Sequence, residues 1–213
     1  MSTAGAPIAA ERAYDYTKAQ IITGGLAGGQ LVSEAVIGAE LGISRTPVHE
    51  AFLRLGTEQF LDLVSRKGAI VRPLTPTETA DVLAMRRGIE TSSAEQVFLK
   101  GGADKRIAGL LTENLERQHT AVSAVDVDAF VVADDEFHAL MIEASGNPIA
   151  AHFYQQLRDR QQRLRNLLLR IEPSTLSSSY DDHRDLAQRL ISGDRDGFLA
   201  RLNAHLDRYQ GAI

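Results

Sequence analysis

The feature that most constrains the fold is a pair of short helices joined by a tight turn, which residues 33–55 encode. The first helix is predicted over residues 34–41. Ser33 stands before it as an N-cap, because its hydroxyl can accept a hydrogen bond from the first backbone N–H groups of the helix. Gly42 follows it, at a place where a helix ends most easily on a left-handed residue.

The helix after the turn has the polar N-terminal end of a DNA-recognition helix. Ser44 is placed to cap it, and Pro47 falls in its first turn, where the missing N–H removes no intrahelical hydrogen bond. The polar side of this end carries Arg45, Thr46 and His49. At this end of a recognition helix, cations and hydroxyls face phosphates and base edges in the major groove. Taken alone, the pattern also fits an ordinary pair of surface helices.

The residues after this second helix predict a β-hairpin. Residues 59–65 and 69–73 have the composition of two short strands around a turn. A hairpin that directly follows a recognition helix is a wing. Lys67 and Gly68, at its tip, suit a close approach to the sugar-phosphate backbone.

The chain therefore divides into an N-terminal tail (1–13), a winged helix-turn-helix (14–74) and a helical domain (75–213), joined by the proline-bearing stretch 73–76. The predicted fold is mostly α: an N-terminal winged helix-turn-helix followed by a C-terminal all-α bundle. Thr77 is the predicted cap of the first bundle helix. The bundle helices are predicted at about 77–101, 104–122, 127–145, 148–171, 177–192 and 195–210.

Composition sets the limits on compartment and partners. The 213 residues contain no cysteine, which excludes disulfides and thiolate metal sites. No apolar run reaches bilayer length and no signal peptide is apparent, so a cytoplasmic protein without a membrane partner is expected. The net charge of −5 does not exclude DNA binding, because the clustering of cations on one face decides it. Charges balance up to residue 77, which suggests modest affinity per monomer and therefore a dimer.

Four polar residues fall in the predicted interior of the bundle. Asp134 and His138 lie four positions apart in the apolar stripe of the third bundle helix, so both project from one face. His183 and His205 line up with apolar positions of the fifth and sixth helices. A buried carboxylate needs a partner, and three imidazoles with one carboxylate form a site for a divalent ion. A single inward histidine is usually a core residue, so spacing alone leaves the metal site and an ordinary core equally open.

The N-terminal third of the chain resembles the winged helix-turn-helix of GntR-family bacterial transcription regulators. The resemblance runs from Gly25 through Ser33-Glu34 to the segment 41–51. It implies DNA contacts from Ser44, Arg45, Thr46, His49, Lys67 and Gly68. His49 departs from the family, which usually carries arginine there. Histidine is shorter and mostly neutral at pH 7, so it cannot make the same bidentate contact to guanine.

The bundle is similar to the FCD domain, the ligand-sensing bundle of the FadR subgroup of these regulators. The similarity rests on Asp134-x3-His138 followed by His183 and His205, and on the text of residues 134–138. It implies that these four residues hold a divalent ion such as zinc, nickel or manganese. It also implies that a carboxylate effector or water completes the coordination of the ion.

Further residues are candidates for binding the effector. Arg86 and Glu90 share the inward face of the first bundle helix, either as an i,i+4 ion pair or with Arg86 gripping a carboxylate beside the metal. In an arginine-rich helix that is otherwise mostly solvated, Arg163 or Arg165 is expected to point into the pocket. Asn147 fits a helix cap better than an effector contact. The effector residues expected are Arg86, Asn147 and Arg163.

These patterns favour a DNA-binding transcriptional regulator that binds a palindromic double-stranded operator as a homodimer. A small organic acid at the metal site is expected to control DNA binding by changing the placement of the winged modules through the linker. One alternative is a metal-dependent enzyme using the Asp/His3 site, although the residues offer no obvious general base and the DNA module would have no purpose. A second alternative is a regulator whose metal is purely structural.

Overall fold

The computed structural model describes residues 5–172 and 174–209. The chain forms two compact units, which divide between Leu74 and Thr75. The described elements of the first unit are α1 (Gly5–Thr23), β1 (Leu31–Val32), α2 (Glu34–Leu41), α3 (Arg45–Thr57), β2 (Leu61–Val64) and β3 (Gly68–Val71). Those of the second are α4 (Pro76–Leu99), α5 (Lys105–Ala124), α6 (Val127–Ala144), α7 (Pro148–Ile171), α8 (Thr175–Ser192) and α9 (Arg195–Asp207). None of these described helices has the length and apolar character needed to cross a bilayer.

The helix-turn-helix forms for the local reasons predicted. The Ser33 hydroxyl accepts a hydrogen bond from the backbone N–H of Ala35, and Gly42 ends α2 with a left-handed φ of 66°. Ser44 precedes α3 in an extended conformation, but its side chain makes no capping hydrogen bond within the described part of the chain. Expecting Ser44 to act as a side-chain cap was therefore wrong, although α3 does begin at the next residue. The buried face of α3 consists of Pro47, Val48, Ala51, Phe52 and Leu55.

The wing is a three-stranded sheet in the order β1-β3-β2, all antiparallel. Leu61 of β2 pairs with Val71 of β3, and Leu31 of β1 pairs with Ile70. Strand β1 was not predicted, because two residues are too short to show an alternating pattern. Gly68 begins β3 with a φ of 110°, and a Cβ atom at this position would lie 2.1 Å from the carbonyl oxygen of Val32. Only glycine fits there.

The expected N-terminal tail of residues 1–13 needs correction. Helix α1 begins at Gly5, so residues 5–13 are helical, and residues 1–4 lie outside the described residues. Ala13, Thr17 and Ile21 recur at intervals of four and are all buried, where α1 packs against α3. This apolar spacing is that of an amphipathic helix.

The bundle helices begin and end close to their predicted positions, with one shifted cap. Thr75, rather than Thr77, caps α4: its hydroxyl accepts a hydrogen bond from the backbone N–H of Glu78 at 3.1 Å. Pro76 then occupies the first helical position, where its missing N–H removes no hydrogen bond. Asp126 caps α6, and Gly193 ends α8 with a φ of 78°. Residue 210, the predicted end of the last bundle helix, lies outside the described residues.

Helix α6 occupies the centre of the bundle, since it packs against α4, α5, α7 and α8. Helix α9 packs against α4 and α8. The main apolar core gathers fully buried side chains from α5, α6, α8 and α9, among them Leu111, Phe137, Leu186 and Leu202. Because α6 is surrounded, any polar side chain on its inner faces must find its partners inside the protein.

Candidate functional site

The four donor residues predicted from the sequence converge at the centre of the bundle. Asp134 and His138 come from α6, His183 from α8 and His205 from α9, and one ligand atom from each lies within 4.8 Å of all the others. The three imidazoles are fully buried, and Asp134 is 2% exposed. Nε2 of His183 lies 3.3 Å from Nε2 of His138 and 3.3 Å from Oδ1 of Asp134.

Each imidazole is held by an acceptor on the side away from this centre. Nδ1 of His138 lies 2.9 Å from Oε2 of Glu90, and Nδ1 of His205 lies 3.1 Å from Oδ2 of Asp182. A carboxylate only accepts hydrogen bonds, so both Nδ1 atoms carry the proton and donate it. In the neutral ring this tautomer leaves the lone pair on Nε2, the atom nearer the other donors.

His183 is oriented in the same way by a neutral amide. Its Nδ1 lies 2.7 Å from Oε1 of Gln118. The amide orientation of Gln118 follows from its other end, where Nε2 donates to Asn114 (2.8 Å), and Asn114 in turn donates to the carbonyl of Ala133 in α6 (3.0 Å). Gln118 therefore presents an acceptor, and His183 donates from Nδ1. All three rings share one tautomer.

Burial keeps the three imidazoles neutral. It lowers the pKa of His138, with Arg86 adding to the effect, and it lowers the pKa of His205 to about 3. The pKa of His183 falls well below its ordinary value, first through burial and then through the neighbouring His205 and His138. Neutral rings keep their lone pairs available at physiological pH, as metal ligation requires.

The described residues fit a divalent ion. Nε2 of His205 and Oδ1 of Asp134 are buried and have no hydrogen-bond partner among the described residues. Buried polar atoms are rarely left in this state. An ion among the four donors would satisfy both atoms, and three imidazole nitrogens with one carboxylate oxygen suit zinc, nickel or manganese. Carboxylate and amide groups that orient the imidazoles are the usual support of such a site.

Two buried guanidinium groups border the four donors. Nε of Arg86 donates to Oε1 of Glu90 at 2.5 Å, so the predicted i,i+4 ion pair is present. Burial opposes the charge of Glu90, but Arg86 and then His138 outweigh it and hold the pKa of Glu90 well below its ordinary value. Arg165 of α7 donates from Nε to Oδ2 of Asp134 at 3.0 Å, and its Nη2 contacts Oδ1 of the same carboxylate without hydrogen-bond geometry.

Both guanidinium groups have N–H donors to spare. Nη2 of Arg86 and Nη1 of Arg165 are buried without a hydrogen-bond partner among the described residues. The hydroxyl of Tyr154 is also buried without a hydrogen-bond partner among the described residues, and burial raises its pKa well above the ordinary value. Arg165 also stacks over the ring of Tyr209, with its guanidinium carbon 4.5 Å from the ring centroid. Burial lowers the pKa of Arg165 to about 10, so it stays charged at neutral pH.

The other two expected effector residues lie elsewhere. Asn147 caps α7, where its Oδ1 accepts hydrogen bonds from the backbone N–H groups of Ile149 and Ala150. By the helical rise, it lies about 27 Å along α7 from Arg165, too far to reach the donors. Arg163 is buried in α7 but points about 200° away from Arg165 around the helix axis. Arg165, rather than Arg163, is therefore the arginine of α7 that meets Asp134.

Three residues of this site were not identified from the sequence, Gln118, Tyr154 and Asp182, and Arg165 was named only as an alternative to Arg163. The sequence offered a signal for Gln118 and another for Asp182. Asn114 and Gln118 are four positions apart in a helix, as an inward polar pair would be, and Asp182 immediately precedes His183. The partners of these residues depend on how helices pack, which spacing within one helix does not reveal.

A second candidate site, which is exposed, lies in the first unit at the polar end of α3. Ser44, Arg45, Thr46 and His49 are all exposed, as is Lys67 at the wing tip. Glu34, in the first turn of α2, lies beside two of them. Its Oε1 is 2.7 Å from Nδ1 of His49, and its Oε2 is 3.6 Å from Nη2 of Arg45. A carboxylate thus stands within a surface that otherwise offers cations and hydroxyls.

Comparison with known families gives two matches that together span most of the chain. The family described as "Bacterial regulatory proteins, gntR family" matches residues 9–71. The family described as "FCD domain" matches residues 81–208, which include all four donors.

Named relatives and solved structures agree with these matches. The gluconate operon transcriptional repressor of Bacillus licheniformis is 26% identical over 201 residues, covering 91% of this chain and 80% of the relative. The Nta operon transcriptional regulator of Aminobacter aminovorans is 26% identical over 181 residues, covering 85% and 83%. The structure of E. coli McbR/YncC has a TM-score of 0.76 at 21% identity, covering 94% of both chains. A putative GntR regulator from Rhodococcus sp. RHA1 has a TM-score of 0.75 at 19% identity, covering 94% and 95%. At these identities the two structures show the fold alone.

Proposed function

The chain belongs to the GntR family of bacterial transcription regulators and carries an FCD domain, and on this premise we propose that a small organic acid, bound at a divalent metal in the bundle, controls its binding to DNA. The FadR subgroup is compatible with this pair of domains. The families and named relatives are regulators rather than enzymes. A regulator of bacterial operators acts in the cytoplasm.

The observation that carries the metal proposal is the shared tautomer of the three imidazoles. Glu90, Gln118 and Asp182 each accept a hydrogen bond from Nδ1 of one ring, so each Nε2 keeps its lone pair. Without a cation, these lone pairs and the carboxylate of Asp134 would face one another within 4.8 Å in the buried centre of the bundle. Asp134 and the three Nε2 atoms would hold zinc, nickel or manganese, and the ion would supply a Lewis-acidic position for an acid.

The guanidinium groups favour a carboxylate as the second ligand. Arg86 and Arg165 border the donors and retain unused N–H groups. A carboxylate of an organic acid could accept from both while another of its oxygens reaches the ion. The name of one relative refers to the gluconate operon. We extend only the chemical class, a small organic acid, to this chain.

For DNA, we propose a homodimer that places the polar ends of two α3 helices in successive major grooves of a palindromic operator. Ser44, Arg45, Thr46 and His49 would face the groove, and Lys67 and Gly68 the backbone. The acid can control binding only if its affinity differs between two conformations of the bundle. The linker at residues 73–76 would then transmit the change to the winged modules.

The experiment measures metal content and operator affinity on the same preparation. The full-length protein is assayed for metal and then, by fluorescence anisotropy, for operator binding as purified, after chelation, and after metal restoration with a panel of sugar acids, hydroxy acids and dicarboxylates. We expect an acid to change operator affinity only with metal present. If operator affinity is unchanged by chelation and by every acid, the proposed control is refuted, and the protein is a regulator with a structural metal.

A matched pair of variants tests the donor assignment. His205→Ala removes one proposed donor, and His119→Ala removes an exposed histidine of the same bundle. The first should bind metal more weakly and lose the rise in melting temperature that metal gives the parent. The second should behave like the parent. A His205→Ala protein with the metal affinity and melting temperature of the parent would refute the assignment.

A further inference from the structure

The pair Glu34–His49 determines which way the His49 ring presents its nitrogen atoms. Glu34 lies in the first turn of α2, where a negative side chain is favoured by the helix dipole. Its Oε1 lies 2.7 Å from Nδ1 of His49 on α3. The carboxylate side chain is 18% exposed and the imidazole 54% exposed, so the ring projects outward from a partly buried support.

The support has a chemical consequence. A carboxylate has no proton to give, so Nδ1 of His49 must carry the proton and donate it. In the neutral ring, Nε2 is then an acceptor without a proton. The two nitrogens lie on opposite sides of the ring, so Nε2 faces away from Glu34. The recognition helix therefore offers a hydrogen-bond acceptor at a position from which arginine would offer only donors.

We propose that His49 reads an amino group on a base edge, so that the operator carries adenine or cytosine, and not guanine, at the position it contacts. In the major groove, adenine N6 and cytosine N4 are donors, whereas guanine and thymine present acceptors at the corresponding atoms. Glu34 acts as a positioning residue, because it fixes the tautomer without touching the base. The inference rests on the proposed reading of DNA by α3.

Glu34 is placed between two side chains of α3. Its Oε1 is the oxygen near His49, and Nη2 of Arg45 lies 3.6 Å from its other oxygen, Oε2. The carboxylate is therefore contacted from two sides, which restricts where it can move and helps it to hold the His49 ring.

The test is base selection by the full-length protein. An operator is selected from a random DNA pool at pH 8, and the position read by His49 is the one whose preference His49→Ala abolishes. The wild type should prefer adenine or cytosine over guanine there by roughly fivefold, as for one base-edge hydrogen bond. Glu34→Ala, which removes the acceptor for Nδ1, should lose most of this preference. His49→Arg should change it to guanine.

Glu50→Gln is the matched control, since it removes a negative charge from an exposed neighbour on α3. It should leave the base preference unchanged. A second readout comes from the nitrogen chemical shifts of His49 at pH 8. They should show a protonated Nδ1 and a bare Nε2 in the wild type, and a mixture of tautomers in Glu34→Ala.

The failures can be told apart. A wild-type protein that selects no operator removes this inference together with the proposed function. Selection of guanine or thymine at the His49 position overturns this inference alone. So does a preference that survives in Glu34→Ala, or an operator in which no position responds to His49→Ala.

Discussion

Oε2 of Glu90 lies 2.9 Å from Nδ1 of His138, and both side chains are buried. Glu90 therefore orients a proposed metal ligand without being one. Its other oxygen accepts from Arg86, so a single carboxylate connects a donor of the metal centre to a guanidinium proposed to hold the effector. A change in the binding of the metal would therefore alter the binding of the acid, and the reverse, through this one side chain.

The first prediction concerns that carboxylate. Glu90→Gln keeps the volume of the side chain but removes the charge that opposes Arg86, and it leaves one acceptor oxygen for two donors, Arg86 and His138. Metal affinity should fall about 10–100-fold, the usual effect of removing a group that supports a metal ligand. Competition with a chromophoric chelator measures it. Glu95→Gln, at a half-buried position of the same helix where the carboxylate pairs with Arg195, should keep the affinity of the parent.

The second prediction concerns pH and the metal-free protein. His138, His183 and His205 have pKa values lowered by burial, so below about pH 6.5 the unfolded state binds protons that the folded state does not. Stability should therefore fall as the pH drops from 6.5 toward 4.5, by up to about 1.4 kcal/mol per pH unit for each ring. Denaturant unfolding at several pH values in chelator measures it.

The window ends near pH 4.5 because carboxylates such as Glu90, whose pKa is lowered, begin to contribute there. Within it, His205→Gln should give a shallower slope of unfolding free energy against pH, and His119→Ala the slope of the parent. A metal-free protein equally stable at pH 6.5 and 5 would contradict the neutral, buried state of the three rings.

The third prediction separates acid binding from metal binding. Arg165→Ala removes the guanidinium that contacts Asp134 and leaves the four donors in place. The metal should still bind, because Asp134 loses a competing cation, whereas the acid should bind at least about tenfold more weakly. Arg163→Ala, two positions away on α7, should bind both like the parent. Calorimetric titration of the metal-loaded proteins distinguishes these outcomes, and equal acid affinity in the two variants would place the effector elsewhere.

The fourth prediction concerns the DNA-reading surface. Arg45 is 70% exposed in its side chain, so Arg45→Ala should leave the thermal unfolding of the protein unchanged. Operator affinity should fall strongly, and if Arg45 contacts a phosphate the slope of affinity against salt should decrease by about one. Arg184→Ala, an exposed arginine of the bundle, controls for the lost charge. A parent-like salt slope together with full affinity would remove Arg45 from the interface.

The donors could be predicted because each lies on the apolar face of its own helix, and helical spacing converts directly into a direction in space. Gln118 and Asp182 could not be paired with their histidines in this way, since the pairing depends on how α5, α8 and α9 pack. The structure brings Arg165, and not Arg163, to Asp134. The two positions point to opposite sides of α7 and both are buried, so the sequence of this helix alone does not show which side faces α6.

In the first unit too, local features could be predicted, whereas contacts between separate elements could not. Gly42 and Ser33 give local signals and were predicted correctly, because left-handed backbone and N-capping need only neighbouring residues. Strand β1 has two residues and forms only because β3 offers an edge to pair with. Nor could the contact between Glu34 and His49 be predicted, because it joins two helices through a turn whose geometry decides the distance.

The close approach of Gly68 to the Val32 carbonyl restricts how this protein can acquire a new DNA preference. Any side chain at Gly68 would push β3 away from β1, so mutation there damages the winged module before it can alter recognition. Substitutions that change the DNA preference of the wing must therefore occur at neighbours such as Arg66 and Lys67, which are exposed. A library aimed at redirecting the protein to other operators should leave residue 68 untouched.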